Sequence, residues 1–191
     1  QSFQRMFDPK DPEIHKKVDE YSKTLVQQID TMSKIAEAFS NFAKMPVQNL
    51  EQLDIVEVIE RALEIFPSDI IQFNASPKEM YATVDKDQFI RIVTNLVKNA
   101  IQSIPEQRTP SVKVNLSKNS DNIYLQVSDN GSGIDAAIGE KIFEPKFTTK
   151  TSGMGLGLPM IKNIIETYNG SIRYDTTKGE GTVFVVSFPI K

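Results

Sequence analysis

From residue 13 to residue 45 the chain has neither proline nor glycine, and apolar side chains recur as Val18, Tyr21, Leu25, Ile29, Met32, Ile35/Ala36, Phe39 and Phe42. Steps of three and four place them on one stripe of a long helix. Val18, Leu25, Met32 and Phe39 are spaced by seven, but the apolar positions beside them widen the stripe beyond a two-stranded seam and predict a helix-bundle surface. Such a stripe cannot be buried by a lone helix, so it predicts packing on another helix, another subunit or the domain that follows. Pro46 and a short connector lead to a second amphipathic helix over 54–66, with Ile55, Val58, Ile59, Ala62, Leu63 and Phe66 inward.

Two β-like runs follow at 70–74 and 80–84. A strong helix is predicted over 86–104, capped by Asp85 and stopped by Pro105. Residues 112–116 and 123–127 alternate apolar and polar and read as paired strands. The stretch 129–155 is loop-rich, a helix covers 156–168 up to Asn169-Gly170, and 171–175 and 182–188 form a terminal hairpin turning at Lys178-Gly179-Glu180-Gly181. The expected fold class is α+β, a two-layer sandwich of helices on a mixed, mostly antiparallel sheet, preceded by the long bundle-forming helix. A doubly wound sheet is not expected, because the strands arrive in hairpins rather than as alternating βαβ units. The predicted division is residues 1–46 as a helical segment and 47–191 as the catalytic domain.

Composition narrows the chemistry. The 191 residues are 39% hydrophobic and 25% charged, enough apolar material for a core. The longest apolar runs are strand-sized, far short of the roughly 18 residues of a membrane span. With no cysteine and one histidine, His15, disulfides, thiolate nucleophiles and His/Cys metal clusters are excluded. A net charge of −3 offers no basic footprint for nucleic acid. The acidic run Glu51, Asp54, Glu57, Glu60 and Glu64, against Arg61 alone, reads as a solvated helix face.

Glycine carries the first chemical clue. All nine glycines fall at or after Gly131, in clusters at Gly131/Gly133, Gly153/Gly155/Gly157 and Gly179/Gly181, with Gly139 and Gly170 separate. Such clusters mark places where backbone must approach closely. Gly153, Gly155 and Gly157 run into a predicted helix, where free amides attract anions; a flexible hinge is the bland alternative. DNGSGI at 129–134 ends a strand and is either a turn or a place where Asp129 accepts a hydrogen bond from an exocyclic amine. Asn95 and Asn99, four apart on the helix over 86–104, form either a polar stripe or neutral oxygen ligands suited to magnesium beside a polyphosphate. GEGTVF is a hairpin turn or part of a pocket wall.

Taken in order, NLVKNA, DNGSGI, FEPKFTTK, GMGLGL and GEGTVF over residues 95–184 resemble the ATP-binding domain of sensor histidine kinases, in the superfamily shared with gyrase, Hsp90-type chaperones and MutL. The resemblance covers about residues 50–191. It implies ATP and magnesium as cofactors, with Asn95 and Asn99 by the phosphates and Asn99 as the metal ligand. It implies that Asp129 reads the adenine amino group, that Gly131 and Gly133 shape the pocket, and that Gly179, Gly181 and Thr182 support the adenine side. Phe143, Phe147 and the segment to Gly153 would form a mobile lid, and Gly153, Gly155, Gly157 and Leu158 would close over the triphosphate. The hydrolysing and serine-kinase branches typically carry glutamate where Asn95 stands. An amide is no base at neutral pH, which favours transfer to an already nucleophilic histidine over hydrolysis.

The sequence departs from the common pattern at Gln102, Lys146, Met154 and Tyr168-Asn169. Gln102 stands where a lysine is frequent, so Lys150 or Lys98 becomes the candidate phosphate-neutralising cation, a solvated loop lysine being the alternative for Lys150. By the same resemblance the helix over 13–45 looks like the second helix of the dimerisation and phosphotransfer hairpin, with 1–7 as the tail of the first. His15 lies in a charged helix start and does not match the acceptor motif, so the expectation is a kinase piece that binds ATP but does not phosphorylate itself at the usual site. The implied partners are a response-regulator receiver domain and a second copy through the helical hairpin. The implied location is cytoplasmic, a parent anchored in the inner membrane being left open. A nucleotide-binding scaffold without transfer and a hydrolytic ATPase are the competing readings.

Overall fold

The computed structural model describes residues 12–43, 48–145 and 155–190. The chain divides into two compact units between Met45 and Pro46. The first contains helix α1, Ile14–Ala43. Along it Val18, Leu25, Val26, Ile29 and Met32 are all exposed, while an exposed Lys23–Asp19 pair at 2.7 Å links adjacent turns. No helix among the described residues is long and apolar enough to cross a membrane.

The second unit starts with strand β1, Leu50–Asp54, and helix α2, Ile55–Leu63. Asp54 Oδ1 caps α2 by accepting from Val56 N at 3.0 Å, and also accepts from Met80 N at 3.1 Å. The connector expected before α2 is therefore partly a strand. β1 pairs antiparallel with β3, Tyr81–Asp85, as a separate two-stranded sheet. The acidic run is split accordingly: Glu57 and Glu60 are exposed on α2, Glu64 is exposed at its C-cap, Glu51 lies on β1, and Asp54 is the N-cap.

Helix α3, Lys86–Ser103, begins where Asp85 Oδ1 accepts from Gln88 N at 3.0 Å. It buries Phe89, Ile92, Val93, Leu96, Val97 and Ala100. Each large apolar side chain so buried contributes about 1.5–3 kcal/mol, which makes α3 the central helix of its layer. Strands β2 (Ile71–Ser76), β4 (Val112–Lys118), β5 (Asn122–Asp129), β6 (Ser171–Thr177) and β7 (Gly181–Pro189) form the main sheet in the order β2-β4-β5-β7-β6. β4–β5, β5–β7 and β6–β7 are antiparallel, whereas β2 runs parallel to β4 across a connection holding β3 and α3. That parallel pair is a difference from strands arriving only in hairpins, and it makes the sheet mixed.

Alternation sets the two faces of the sheet. Val112, Val114 and Leu116 of β4, Ile123, Leu125 and Val127 of β5, and Phe184, Val186 and Phe188 of β7 all point into the core. Helix α4, Gly157–Thr167, packs on α3 and on β6 and β7. It ends with Asn169 at φ 56° and Gly170 N donating to Ile165 O at 2.9 Å, a left-handed stop that asparagine tolerates. Just before it, the buried Tyr168 hydroxyl accepts from Asp85 N at 2.9 Å and donates to Gln88 Oε1 at 3.2 Å. The end of α4 is thus tied to the start of α3, and desolvation raises the Tyr168 pKa above its ordinary value.

Candidate functional site

Asn95, Asn99 and Ser103 occupy successive turns along one edge of α3. Asn95 Nδ2 donates to Arg91 O at 2.8 Å. Its Oδ1 lies toward α4, because a Cβ built on Gly157 would come within 3.1 Å of that oxygen and 3.8 Å of Asn99 Nδ2. Gly157 is the first residue of α4, and Leu156 at the cap position makes no side-chain capping bond. The positive end of α4 therefore sits beside two neutral, half-buried amide side chains, an arrangement that suits an anion such as a phosphate.

The third polar residue of that edge reaches the end of β5. Ser103 Oγ is 3.0 Å from Asp129 Oδ1 and 2.7 Å from Ala100 O, so its one proton can serve either. Asp129 Oδ1 also accepts from Gly131 N at 2.8 Å and Thr182 N at 3.2 Å. Two glycines permit this. A Cβ on Gly131 would fall 2.0 Å from Ser103 Oγ, and one on Gly181, whose φ is +134°, would fall 2.0 Å from Asp129 O. Thr182 is buried, and its Oγ1 is 3.1 Å from Thr176 Oγ1, which in turn accepts from Ile134 N at 2.9 Å. Gly133 packs against the hairpin, where an added Cβ would meet Thr177 O at 2.5 Å.

The expected site residues thus gather in two linked clusters. Asn95, Asn99 and Gly157 form the first; Asp129, Gly131, Gly133, Gly181 and Thr182 form the second; Ser103 joins them. Gly155 lies just ahead of α4. Leu158 is half-buried against the core. Phe143, in the 3₁₀ turn Gly139–Phe143, is buried, its ring 6.1 Å from Tyr174 and 5.7 Å from Lys162 Nζ. Phe147, Lys150 and Gly153 lie outside the described residues. Lys98 is exposed on α3, and His15 is exposed at the start of α1. At the rim, Lys178 donates to Asp135 at 2.7 Å, which holds the Asp135 carboxyl below its usual range; both side chains are exposed, so the pair adds little to stability.

Four residues of this constellation carry no glycine or asparagine-pair signal. Ser103 was legible only as the next member, four residues on, of the Asn95–Asn99 series. Asn130 anchors its loop through Ser111 N on its Oδ1 at 3.0 Å and through its own Nδ2 on Thr109 O at 2.9 Å. Thr176 and Arg108 have partners far away in sequence, which no local pattern reveals.

A family profile described as histidine kinase-, DNA gyrase B- and HSP90-like ATPase matches residues 84–191, more than half of the chain. The chain belongs to this family. The matched span contains both clusters, and a domain of this ATPase family implies ATP as its ligand. Similar curated proteins include the sensor histidine kinase ZraS of Salmonella typhimurium, 29% identical over 90% of this chain and 38% of its own length. The signal transduction histidine-protein kinase AtoS of Escherichia coli is 28% identical over 90% of this chain and 29% of its own length. The chain therefore spans well under half of these relatives. Among solved structures, the catalytic domain of histidine kinase ThkA superposes with a TM-score of 0.68 at 27% identity, covering 75% of this chain and 97% of that domain. Full-length ShkA shares the fold with a TM-score of 0.75 at 20% identity, over 90% of this chain and 38% of that one. The family member described here accordingly has the fold of a histidine kinase catalytic domain.

Proposed function

We propose that the unit from residue 47 onward binds Mg-ATP and transfers its γ-phosphoryl group to a histidine on the first helix of a dimerisation hairpin, for relay to the aspartate of a response-regulator receiver domain. The observation that carries this reading is the meeting of Asn95 and Asn99 with Gly157 at the start of α4. Phosphate oxygens placed there would meet helix-end amides and amide side chains. Asn99 would hold magnesium through its amide oxygen, a hard neutral ligand that fits this cation. Bound magnesium would neutralise charge on the phosphates.

The chain's own residues supply binding and orientation, which is most of what phosphoryl transfer asks of a protein. Asp129 accepts from the adenine amino group and fixes the base. Gly131, Gly133, Gly181 and Thr182 line that end, while Gly153, Gly155, Gly157 and Leu158 close over the triphosphate, with Phe143, Phe147 and the segment to Gly153 as the lid. Lys150 or Lys98 neutralises phosphate charge. Asn95 stands where a base would act, and its amide cannot take a proton from water. That favours an acceptor that is already nucleophilic.

Residues 1–46 are proposed as part of the dimerisation hairpin. The exposed apolar series Val18, Leu25, Ile29 and Met32 on α1 supports a paired helix and a homodimer. A cytoplasmic location belongs to the same proposal. The test is to incubate the chain with Mg-ATP and a separate polypeptide carrying the first helix of the hairpin. Acid-labile labelling of that polypeptide is expected. Normal ATP affinity without transfer to a correctly paired acceptor would sink the proposal.

A further inference from the structure

The loop after Asp129 and the turn before Thr182 are bridged by one cation from a third segment. Helix α3 stops at Pro105, and Arg108 N donates to Pro105 O at 2.9 Å to close a tight turn. This turn directs the Arg108 side chain across the ends of two strands. Its Nη1 donates to Asn130 O and, at 2.9 Å, to Gly131 O; its Nη2 donates to Gly179 O at 3.0 Å. Three carbonyl oxygens thus converge on one guanidinium. Left to themselves, their dipoles would repel one another across the gap. A planar fork with five donors in fixed directions can span two loops, and a point charge cannot. Among the described residues Arg108 forms no ion pair, and its side chain donates to these three carbonyls.

The placement matters because both loops carry the base end of the site. Asn130 and Gly131 directly follow Asp129. Gly179 lies two residues before Gly181, where an added Cβ would meet the Asp129 carbonyl oxygen at 2.0 Å. The loops have further ties: Gly179 N to Ser132 O at 2.8 Å, Ile134 N to Thr176 Oγ1 at 2.9 Å and Lys178 Nζ to Asp135 Oδ2 at 2.7 Å. Those ties keep the loops assembled without Arg108. They do not reach the carbonyls of residues 130 and 131, next to the carboxylate.

We infer that Arg108 is a positioning residue for base selection: sheet pairing already sets Asp129 opposite Thr182, and Arg108 clamps the loop that follows Asp129 to the turn that precedes Thr182, which holds the backbone donor of Gly131 on the Asp129 carboxylate. The inference rests on the reading of Asp129 as the group that recognises the adenine amine.

The test measures the affinity of the full chain for ATP, AMP and GTP by calorimetry, with thermal unfolding followed in parallel. Arg108→Ala is expected to weaken ATP about tenfold, the scale of losing hydrogen bonds to a charged group. AMP should weaken by the same factor, because the disturbance is at the base and not at the phosphates. The preference for ATP over GTP should shrink, and millimolar guanidinium should restore part of it. Arg108→Lys, which keeps the charge but reaches one loop, should fall between the two. Unchanged ATP-over-GTP preference in a folded Arg108→Ala overturns the inference. If that variant does not fold, unchanged preference in Arg108→Lys overturns it instead. Asp129→Asn separates the two claims: if it retains full preference for ATP, the reading of Asp129 itself is wrong. If it abolishes the preference while Arg108→Ala does not, only the role of Arg108 falls.

Discussion

Ser103 Oγ stands 3.0 Å from Asp129 Oδ1, joining the last turn of α3 to the last residue of β5. The contact makes the asparagine edge of α3 continuous with the carboxylate, so one helix edge runs from the start of α4 to the end of β5. The same oxygen of Asp129 takes backbone donors from Gly131 and Thr182, which fixes the orientation of the carboxylate.

Asp129→Asn is expected to fold, since an amide oxygen can replace Oδ1 toward all three donors. It should weaken ATP by about 1.5–3 kcal/mol, the cost of losing a hydrogen bond to a charged group. Ser103→Ala leaves the two backbone donors in place and should cost ATP binding less than Asp129→Asn does. Titration calorimetry checks both, and an Asp129→Asn chain with native affinity would contradict the base-reading role.

The glycines of the site are expected to rank. Gly181→Ala combines a left-handed φ with a Cβ 2.0 Å from a backbone oxygen, and should cost the most stability, on the scale of about 1–3 kcal/mol or more for forced backbone strain. Gly131→Ala meets the movable Ser103 and Asp129 side chains and should cost less stability but disable binding. Gly157→Ala, at 3.1 Å from Asn95 Oδ1, should unfold near the native temperature while binding Mg-ATP more weakly. Thermal unfolding in the reverse order would refute the close-packing account.

Asn99→Ala should abolish the gain in ATP affinity that magnesium gives the native chain, and leave unfolding nearly unchanged because the side chain is only half-buried. Asn95→Glu restores a base and should raise phosphate release in the absence of acceptor. The rise should fall short of the roughly 10²–10⁴ that a positioned general base supplies, because a glutamate introduced there has not been placed to orient water. A colorimetric phosphate assay decides; no increase would mean that the residue does not separate transfer from hydrolysis.

Tyr168→Phe removes the partner of Asp85 N and should destabilise the second unit by about 1–2 kcal/mol. Burial raises the Tyr168 pKa, so the folded chain holds this proton more tightly than the unfolded chain, whose value is about 10. The contribution is therefore complete below about pH 10 and is lost as pH rises from there through the folded value. Denaturant unfolding between neutral and strongly alkaline pH should show the native chain losing this increment and Tyr168→Phe lacking it.

Periodicity gave α3 nearly to the residue, from the Asp85 cap to the stop at Pro105, because both signals are local and strong. The hairpin of β6 and β7 and the pairing of β4 with β5 were equally legible from alternation and turn residues. The run at 50–54 was not: it alternates poorly and is a strand only because β3 offers it a partner. Nor did any local feature show that β2 pairs parallel with β4, since that partner lies beyond a strand and a helix.

The same division holds for the site. Residue types and their order along the chain determined that Asn95, Asn99, Asp129 and the glycine clusters belong to one nucleotide-binding family, because each motif meets a local demand of helix, turn or close approach. Only the tertiary structure decided what holds them in register. Ser103, Thr176 and Arg108 act through partners 26, 42 and 71 residues away. Hydrogen bonds across such separations exist only after the sheet and α3 have packed, so their geometry is a property of the fold and not of any segment.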